Sequence, residues 1–446
     1  MDKYFDATTQ AELKQKIADL LIKAQHKPGV SAVIAEGSLN AGTTTTVRHG
    51  VVESIEFNRN KAIKIIIYKG RAKGSVSITS FKQEDIAAAL NSAYEIASYA
   101  EPDIFANLPE PKLLAKNYPD LKLYHPIYIS CEQAIAHART IEEHALQHPQ
   151  ITQSDSASFS QSENFFILAN SNGFMGGYPS TNFTGNVQVI AGSGANMRRD
   201  CEYTIARDFA DLTDFSLVGQ DAATKAVAAL GARAIPTTKA AVLFTPKAAK
   251  NIWSALVAAL LGTNLYRHSS FLEGKLGEQI FPEFINISEQ PHILKAIGSA
   301  PFDADGLATI NKNIIQDGKI ANYILSYYAA KKLGLAPTAN AGGVRNLVVE
   351  PHNYSFAQLL QKMQRGLVVT HIMGHGTNIV TGDYSHGVSG FWVENGQISL
   401  PVQEVTIAAN LLDIFKNVIN VGNDQDTRGN IITGSLLVDK MTVAGI

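Results

Sequence analysis

The chain has 446 residues, 45% of them hydrophobic and 17% charged, and a net charge of −2. That length predicts two or three domains rather than one, and the apolar fraction excludes a disordered chain. A balance so near neutrality, with no long run of either sign, excludes an electrostatic footprint for nucleic acid or an anionic membrane surface.

From the N-terminus, Met1-Asp2-Lys3-Tyr4-Phe5-Asp6 lacks the apolar core of a signal peptide, and no stretch reaches the ~18 uninterrupted apolar residues of a spanning helix. Cys131 and Cys201 form no CxxC pair and read as two reduced structural thiols. Together these features make a cytoplasmic location the expectation. Residues 11–25 place Leu13, Ile17, Leu20, Leu21 and Ala24 on one helical face. Strands are expected over 30–36, 43–49 and 63–68, with Asn58-Arg59-Asn60 breaking two of them apart. The helical period returns over 83–99 and stops before Pro102. A helix, several strands and a second helix predict an α+β layer, an antiparallel sheet covered by helices.

Prolines 102, 109, 111, 119 and 126 mark an irregular connection. A helix is predicted over 131–147. Residues 154–208, rich in Ser, Asn and Gly, read as strands with long connections facing a cavity. A short helix is expected over 221–230. Residues 240–244 form a strand, and 246–261 an Ala-rich helix apolar on nearly every face, hence buried in the domain or in a subunit interface. Beyond it, glycine and acidic or amide residues alternate with β-branched and aromatic runs, the pattern of strands tied by tight turns. The fold class is therefore α+β: an N-terminal sandwich-like α/β domain over 1–115, a middle domain over 116–231, and a mostly β C-terminal domain over 232–446 carrying the buried helix.

No standard catalytic motif stands out. Gly192-Ser193-Gly194 lacks the context of a phosphate loop, and no GxSxG elbow occurs. His371, His375 and His386 sit in a glycine-dotted span, Val368-Val369-Thr370-His371-Ile372-Met373-Gly374-His375-Gly376. On a strand, His371 and His375 would share a face but stand about 13 Å apart, too far for one ion. They read as cavity lining, with a metal held by His371, His375 and His386 as the alternative. Arg345-Asn346 follows Ala341-Gly342-Gly343, where close backbone approach or positive φ is expected.

The pieces Gly382-Asp383-Tyr384-Ser385, Gly390-Phe391-Trp392-Val393-Glu394-Asn395-Gly396 and Val421-Gly422-Asn423-Asp424 occur in an order that resembles the C-terminal domain of the TldD/PmbA family of bacterial metalloproteases, nearest its PmbA (TldE) branch. The resemblance extends through Gly74-Ser75-Val76-Ser77, Asn170-Ser171-Asn172-Gly173-Phe174, Tyr266-Arg267-His268-Ser269-Ser270-Phe271-Leu272 and Pro301-Phe302-Asp303-Ala304-Asp305-Gly306. Active members carry HExxxH on the buried helix, two histidines for zinc and a glutamate as general base. Here the stretch reads Trp253-Ser254-Ala255-Leu256-Val257-Ala258-Ala259-Leu260. By the resemblance, Ser254 and Ala259 hold the ligand positions, Ala255 replaces the base, and Thr433 replaces a further cysteine ligand.

The resemblance therefore implies a subunit that binds no cofactor itself and pairs with a zinc-bearing TldD-like partner, or with itself when alone. It implies unfolded peptide as substrate, in leader-peptide trimming during microcin maturation or in antitoxin degradation, alongside a historical link to DNA gyrase. It places Arg345 and Asn346 toward an enclosed cavity, with His371, His375, Asp383 and Tyr384 as further candidate contacts. Two other readings stay open: a homodimeric peptide-binding module without catalysis, and an independent metallopeptidase using the histidines.

Overall fold

The computed structural model describes residues 5–445; residues 1–4, part of the N-terminal stretch considered above, and residue 446 lie outside it. The chain is α+β. Helix α1 (Ala7–Gln25) starts at Asp6, whose carboxylate accepts the Thr9 N–H at 2.7 Å, and buries Leu13, Ile17, Leu20 and Ala24. Strands β1 (Val30–Arg48), β2 (Val51–Lys69) and β3 (Ala72–Ile78) follow, then helix α2 (Gln83–Tyr99). Helix α3 (Cys131–Leu146) opens on a capping box of Ser130 and Gln133. Next come β4 (Ile151–Asn170), β5 (Met175–Ala191), β6 (Arg198–Ala206) and α4 (Phe215–Ala228).

Two expectations are corrected here. Asn58, Arg59 and Asn60 do not break a strand; they lie inside β2, paired with Gly42, Ala41 and Asn40 of β1. Residues 154–208 are not strands on long connections but parts of three strands of 9 to 20 residues joined by short turns. The cause is the same in both places. A sheet gives polar side chains partners across the ladder, so polarity alone does not mark a loop. Asn40 donates its amide to Asn164, and Asn186 donates to Ser158 Oγ at 2.8 Å.

All six strands form one antiparallel sheet in the order β3-β2-β1-β4-β5-β6. It therefore runs through both N-terminal units without a break. Along β4, Phe159, Phe165 and Ile167 alternate onto one face, where α1 and α2 cover one half and α3 and α4 the other. The opposite face carries Ile34, Ile66, Tyr68 and Leu168, which pack with Phe174 and with Phe302 of the C-terminal domain. Close approach of α2 to the sheet requires Gly74: a Cβ there would stand 2.0 Å from the Ala93 carbonyl oxygen. Gly74→Ala is expected to cost about 2–3 kcal/mol of stability, measured by urea unfolding, because helix backbone cannot yield as a side chain does.

In the C-terminal part, strand β7 (Thr238–Phe244) leads into helix α5 (Pro246–Leu260). β7 pairs with the strands Gly366–Met373 and Leu436–Ala444; these continue through Gln397–Asn410 and Asp383–Glu394 back to Gly366–Met373, so five strands close a ring. Side chains alternate between two cores. Val242, Phe244, Leu367 and Val369 pack with α5, while Leu243, Val368 and Leu437 pack with the helix Phe356–Met363. A second sheet of five short strands includes Ile287–Glu289 and Leu347–Val349. No helix among the described residues is long and apolar enough to cross a membrane.

Candidate functional site

Helix α5 begins with Pro at its first position, which suits a turn whose N–H groups have no helical partner. Its alanines let it sit deep. Ala248, Ala249, Ile252, Trp253, Ala255, Leu256, Ala259 and Leu260 are buried, leaving a partly open stripe of Ser254, Val257, Ala258 and Leu261. Ser254 is exposed, and its hydroxyl donates to the Lys250 carbonyl at 2.7 Å. Ala255 and Ala259 offer no donor atoms, and Ala259 is fully buried. Thr433 is buried too; its Oγ1 accepts the Trp253 indole N–H at 2.9 Å and donates to the Gly434 carbonyl. This set does not fit a metal ion. Two members have no lone pair to give, and both hydroxyls are neutral and already engaged.

The histidines separate. His371 lies on the strand Gly366–Met373 with Nε2 3.2 Å from Asp200 Oδ1 on β6. His375 falls beyond the end of that strand and is exposed. His386 is buried against Tyr384, its Nε2 2.8 Å from Thr377 Oγ1, and burial lowers its pKa. Among the described residues, no three His, Cys, Asp or Glu side chains gather as a ligand set. Tyr384 is buried and donates to Asn251 of α5 at 2.9 Å; Asp383 is exposed and accepts from Thr381.

The largest cavity, about 1080 Å³, opens between the middle and C-terminal domains at the start of α5. One wall is β6, the terminal strand of the long sheet, through Arg198, Asp200 and Thr204; His371 and Lys247 face it from the other side. A charge network that sequence reasoning missed locks this wall in place. Glu202 of β6 is paired by Lys225 of α4 and by Arg428 Nη1 at 2.5 Å. Arg428 also donates to the Tyr203 carbonyl at 2.7 Å and to both oxygens of Asp426, which Lys250 of α5 approaches at 3.1 Å. Burial works to raise the pKa values of Asp426 and Glu202, but bonding to Arg428 and Lys225 outweighs it and holds both carboxyls below their ordinary values.

A second cavity of about 420 Å³ lies along the open stripe of α5, reached by Val257 and Leu261 and lined by Arg345, Arg207, Tyr178 and Asn430. Of the substrate contacts expected from the sequence, Arg345 lines it, together with Gly342 and Gly343 before it. Asn346 lies buried beneath with φ of 47°, its amide donating to the Gln290 carbonyl and to Ser299. The loop that carries Arg345 is fixed by two buried carboxylates. Asp303 accepts the N–H groups of Asp305, Leu307 and Ala341, each at 2.9 Å, while Glu289 accepts from Arg345 N and Asn340 and pairs with Lys312. Burial and the neighbouring Asp305 charge push Asp303 up to about 7. His375, Asp383 and Tyr384 line neither cavity.

Three successive family models match the chain: domain 1 of the PmbA/TldA metallopeptidases over residues 40–97, the central domain over 124–230, and the C-terminal domain over 237–445. Metalloprotease PmbA of Escherichia coli O157:H7 is 42% identical over 409 residues, covering 92% of this chain and 91% of its own. The chain belongs to the PmbA/TldD metallopeptidase family. A PmbA homolog of Haemophilus influenzae is 39% identical over 98% of this chain and 97% of its own. The fold agrees. A crystal structure from Bacteroides thetaiotaomicron, described as a candidate modulator of DNA gyrase, superposes with a TM-score of 0.92 at 26% identity, covering 98% of this chain and 99% of the other. TldE from Thermococcus kodakarensis shares the fold at TM-score 0.83 and 19% identity, over 96% of this chain and 100% of that one.

Proposed function

We infer that this chain is the non-catalytic, TldE-like subunit of a cytoplasmic two-subunit metalloprotease, holding unfolded polypeptide for a zinc-bearing TldD-like partner. The observation that carries this is the filling of the metal positions. In a family of metallopeptidases, Ser254, Ala255, Ala259 and Thr433 supply no ligand set, and Thr433 has become a hydrogen-bond partner of the core tryptophan. Support for the holding role comes from β6. Its outer edge pairs with no other strand among the described residues, and it forms a wall of the largest cavity. An extended peptide can add to such an edge through main-chain hydrogen bonds, which read shape rather than sequence and suit varied unfolded substrates. The hydrolytic step belongs to the partner's zinc-bound water; this chain binds and orients. Leader-peptide trimming and antitoxin degradation are the physiological settings this reading favours.

The test is cleavage of an unstructured polypeptide by this chain alone and mixed with an HExxxH-bearing partner, each with and without chelator. Cleavage only in the mixture, abolished by chelator, is the expected result. Chelator-sensitive cleavage by the chain alone would overturn the reading and return the metal to His371, His375 and His386. Silence in both arms, with peptide still bound, would favour a homodimeric binding module.

A further inference from the structure

The 420 Å³ cavity beside α5 holds two guanidinium groups and no acid. Arg207, just past the end of β6, donates only to the backbone carbonyls of Thr181 at 3.1 Å and Ile297 at 2.7 Å. Arg345 reaches only the Ala341 carbonyl, at a long 3.4 Å. In both residues the Nε–H is buried with no acceptor, and neither guanidinium makes an ion pair among the described residues. Glu289, which accepts the Arg345 backbone N–H, is already committed to Lys312 and Asn340. Elsewhere the chain pairs its half-buried cations with care, as Lys250 and Arg428 do with Asp426 and Glu202.

Desolvating a cation without an opposite charge is costly, and two sharing one cavity repel each other as well. Tyr178 lines the same cavity: burial raises its pKa, and the charges of Arg345 and Arg207 both pull it back. Gly298 also lines the cavity and leaves no room for a side chain, since a Cβ there would meet Asn346 Oδ1 at 2.6 Å and Asn430 Cβ at 2.9 Å. Guanidinium forks, a phenol hydroxyl and a glycine floor make a receptor for a planar, bidentate anion. The volume suits one amino-acid residue rather than a large ligand.

We propose that the Arg207–Tyr178–Arg345 cavity binds a carboxylate of the polypeptide substrate, either the α-carboxylate of its last residue or an Asp or Glu side chain. At a rise of 1.5 Å per residue, Val257 of α5 and Leu261 just past its end lie about 4.5 and 10.5 Å along the axis from Ser254, on the same open stripe. The anchor therefore lies one to two helical turns from where the active branch carries its first metal ligand. A carboxylate held there would fix the register of an extended chain that main-chain pairing alone leaves free to slide. The proposal rests on the substrate-holding reading above and gives that reading a chemical preference.

Fluorescence anisotropy tests it with the full chain, alone and with the HExxxH-bearing partner, in chelator to prevent cleavage. The probes are one unstructured labelled peptide in four forms: acidic with a free C-terminus, acidic with a C-terminal amide, Asp and Glu changed to Asn and Gln, and both changes together. The doubly neutral form should bind at least tenfold more weakly than the first, and the two single forms reveal which carboxylate is read. Arg345→Gln should remove that preference, bringing the affinities of all four forms together. Asn430→Asp, at an exposed position on the rim, should do the same by supplying a carboxylate in place, without depending on the Arg345 loop. Equal affinity for all four forms would overturn the carboxylate site and leave the substrate-holding reading standing. Binding of no form would overturn both.

Discussion

Arg428→Met is expected to lower the free energy of the first unfolding transition by about 2–3 kcal/mol at neutral pH and to flatten its dependence on acid. Arg428 is the hub of the network that joins the two sides of the largest cavity. It bridges Glu202 on β6 and Asp426 in the loop beside α5, whose side chains are only 8% and 6% exposed. Removing one partner of a buried ion pair costs about 3–5 kcal/mol because the other charge is stranded. Lys225 and Lys250 still hold the stranded carboxylates in the variant, so the loss should fall below that range.

The pH dependence follows from the same contacts. Asp426 and Glu202 titrate below their ordinary 3.8 and 4.5, so between those values and the folded ones the unfolded chain binds more protons than the folded chain. The stability they contribute is complete above about pH 5 and is lost as pH falls through the folded values. In Arg428→Met the folded values move back up and less is lost. Denaturant melts from pH 7 to pH 3 should therefore show the two proteins converging in acid. Parallel curves would mean that Arg428 acts through packing alone, for instance through its stacking on Tyr203.

What the sequence made legible follows from how far each signal travels along the chain. Helix α2 lies at residues 83–99 as expected, and α5 ends one residue earlier than its period suggested, because a one-sided apolar stripe is a local property. The long strands were harder to see. In β1, β2 and β4 the middle is Asn, Arg, Ser and Gln, whose partners come from neighbouring strands rather than from a turn; Ser160 donating to Thr44 at 3.0 Å is such a pair, invisible before the register is known. The two cavities divide in the same way. Arg345 could be suspected from the glycines before it, and both Gly342 and Gly343 do adopt positive φ. Arg207 and Tyr178 carried no local mark, since each sits on or beside a strand and becomes notable only when the C-terminal domain faces it without an acid. His371 reaches the large cavity, but its contact with Asp200 depends on β6 lying across from it.

Trp253→Ala is expected to be the most damaging single change, costing about 3–5 kcal/mol, whereas Thr433→Val should cost about 1–3 kcal/mol. Trp253 is fully buried, packs on Phe281 at 5.9 Å between ring centroids, and sends its only polar atom to Thr433. Alanine leaves a cavity in the centre of the C-terminal core. Valine keeps the shape of threonine but leaves the indole N–H buried and unpaired, so its cost is almost purely that of a lost hydrogen bond. Urea unfolding of the two single variants and the double variant separates these terms. The double should cost little more than Trp253→Ala alone, since with the indole gone valine at 433 strands no N–H and removes only the hydroxyl's bond to the Gly434 carbonyl. Additive losses would show that Thr433 stabilises the core independently of Trp253.

The same packing bears on the proposed function, in which Thr433 and Ala259 are, by the resemblance, the positions where the metal-binding branch would carry ligands. A histidine at the fully buried Ala259 would have to displace core side chains, and a thiolate at 433 would have to abandon the indole. Ala259 and Thr433 are thus part of what holds α5 in place. That packing is in keeping with the proposed role of binding and positioning rather than with a site merely awaiting its ion.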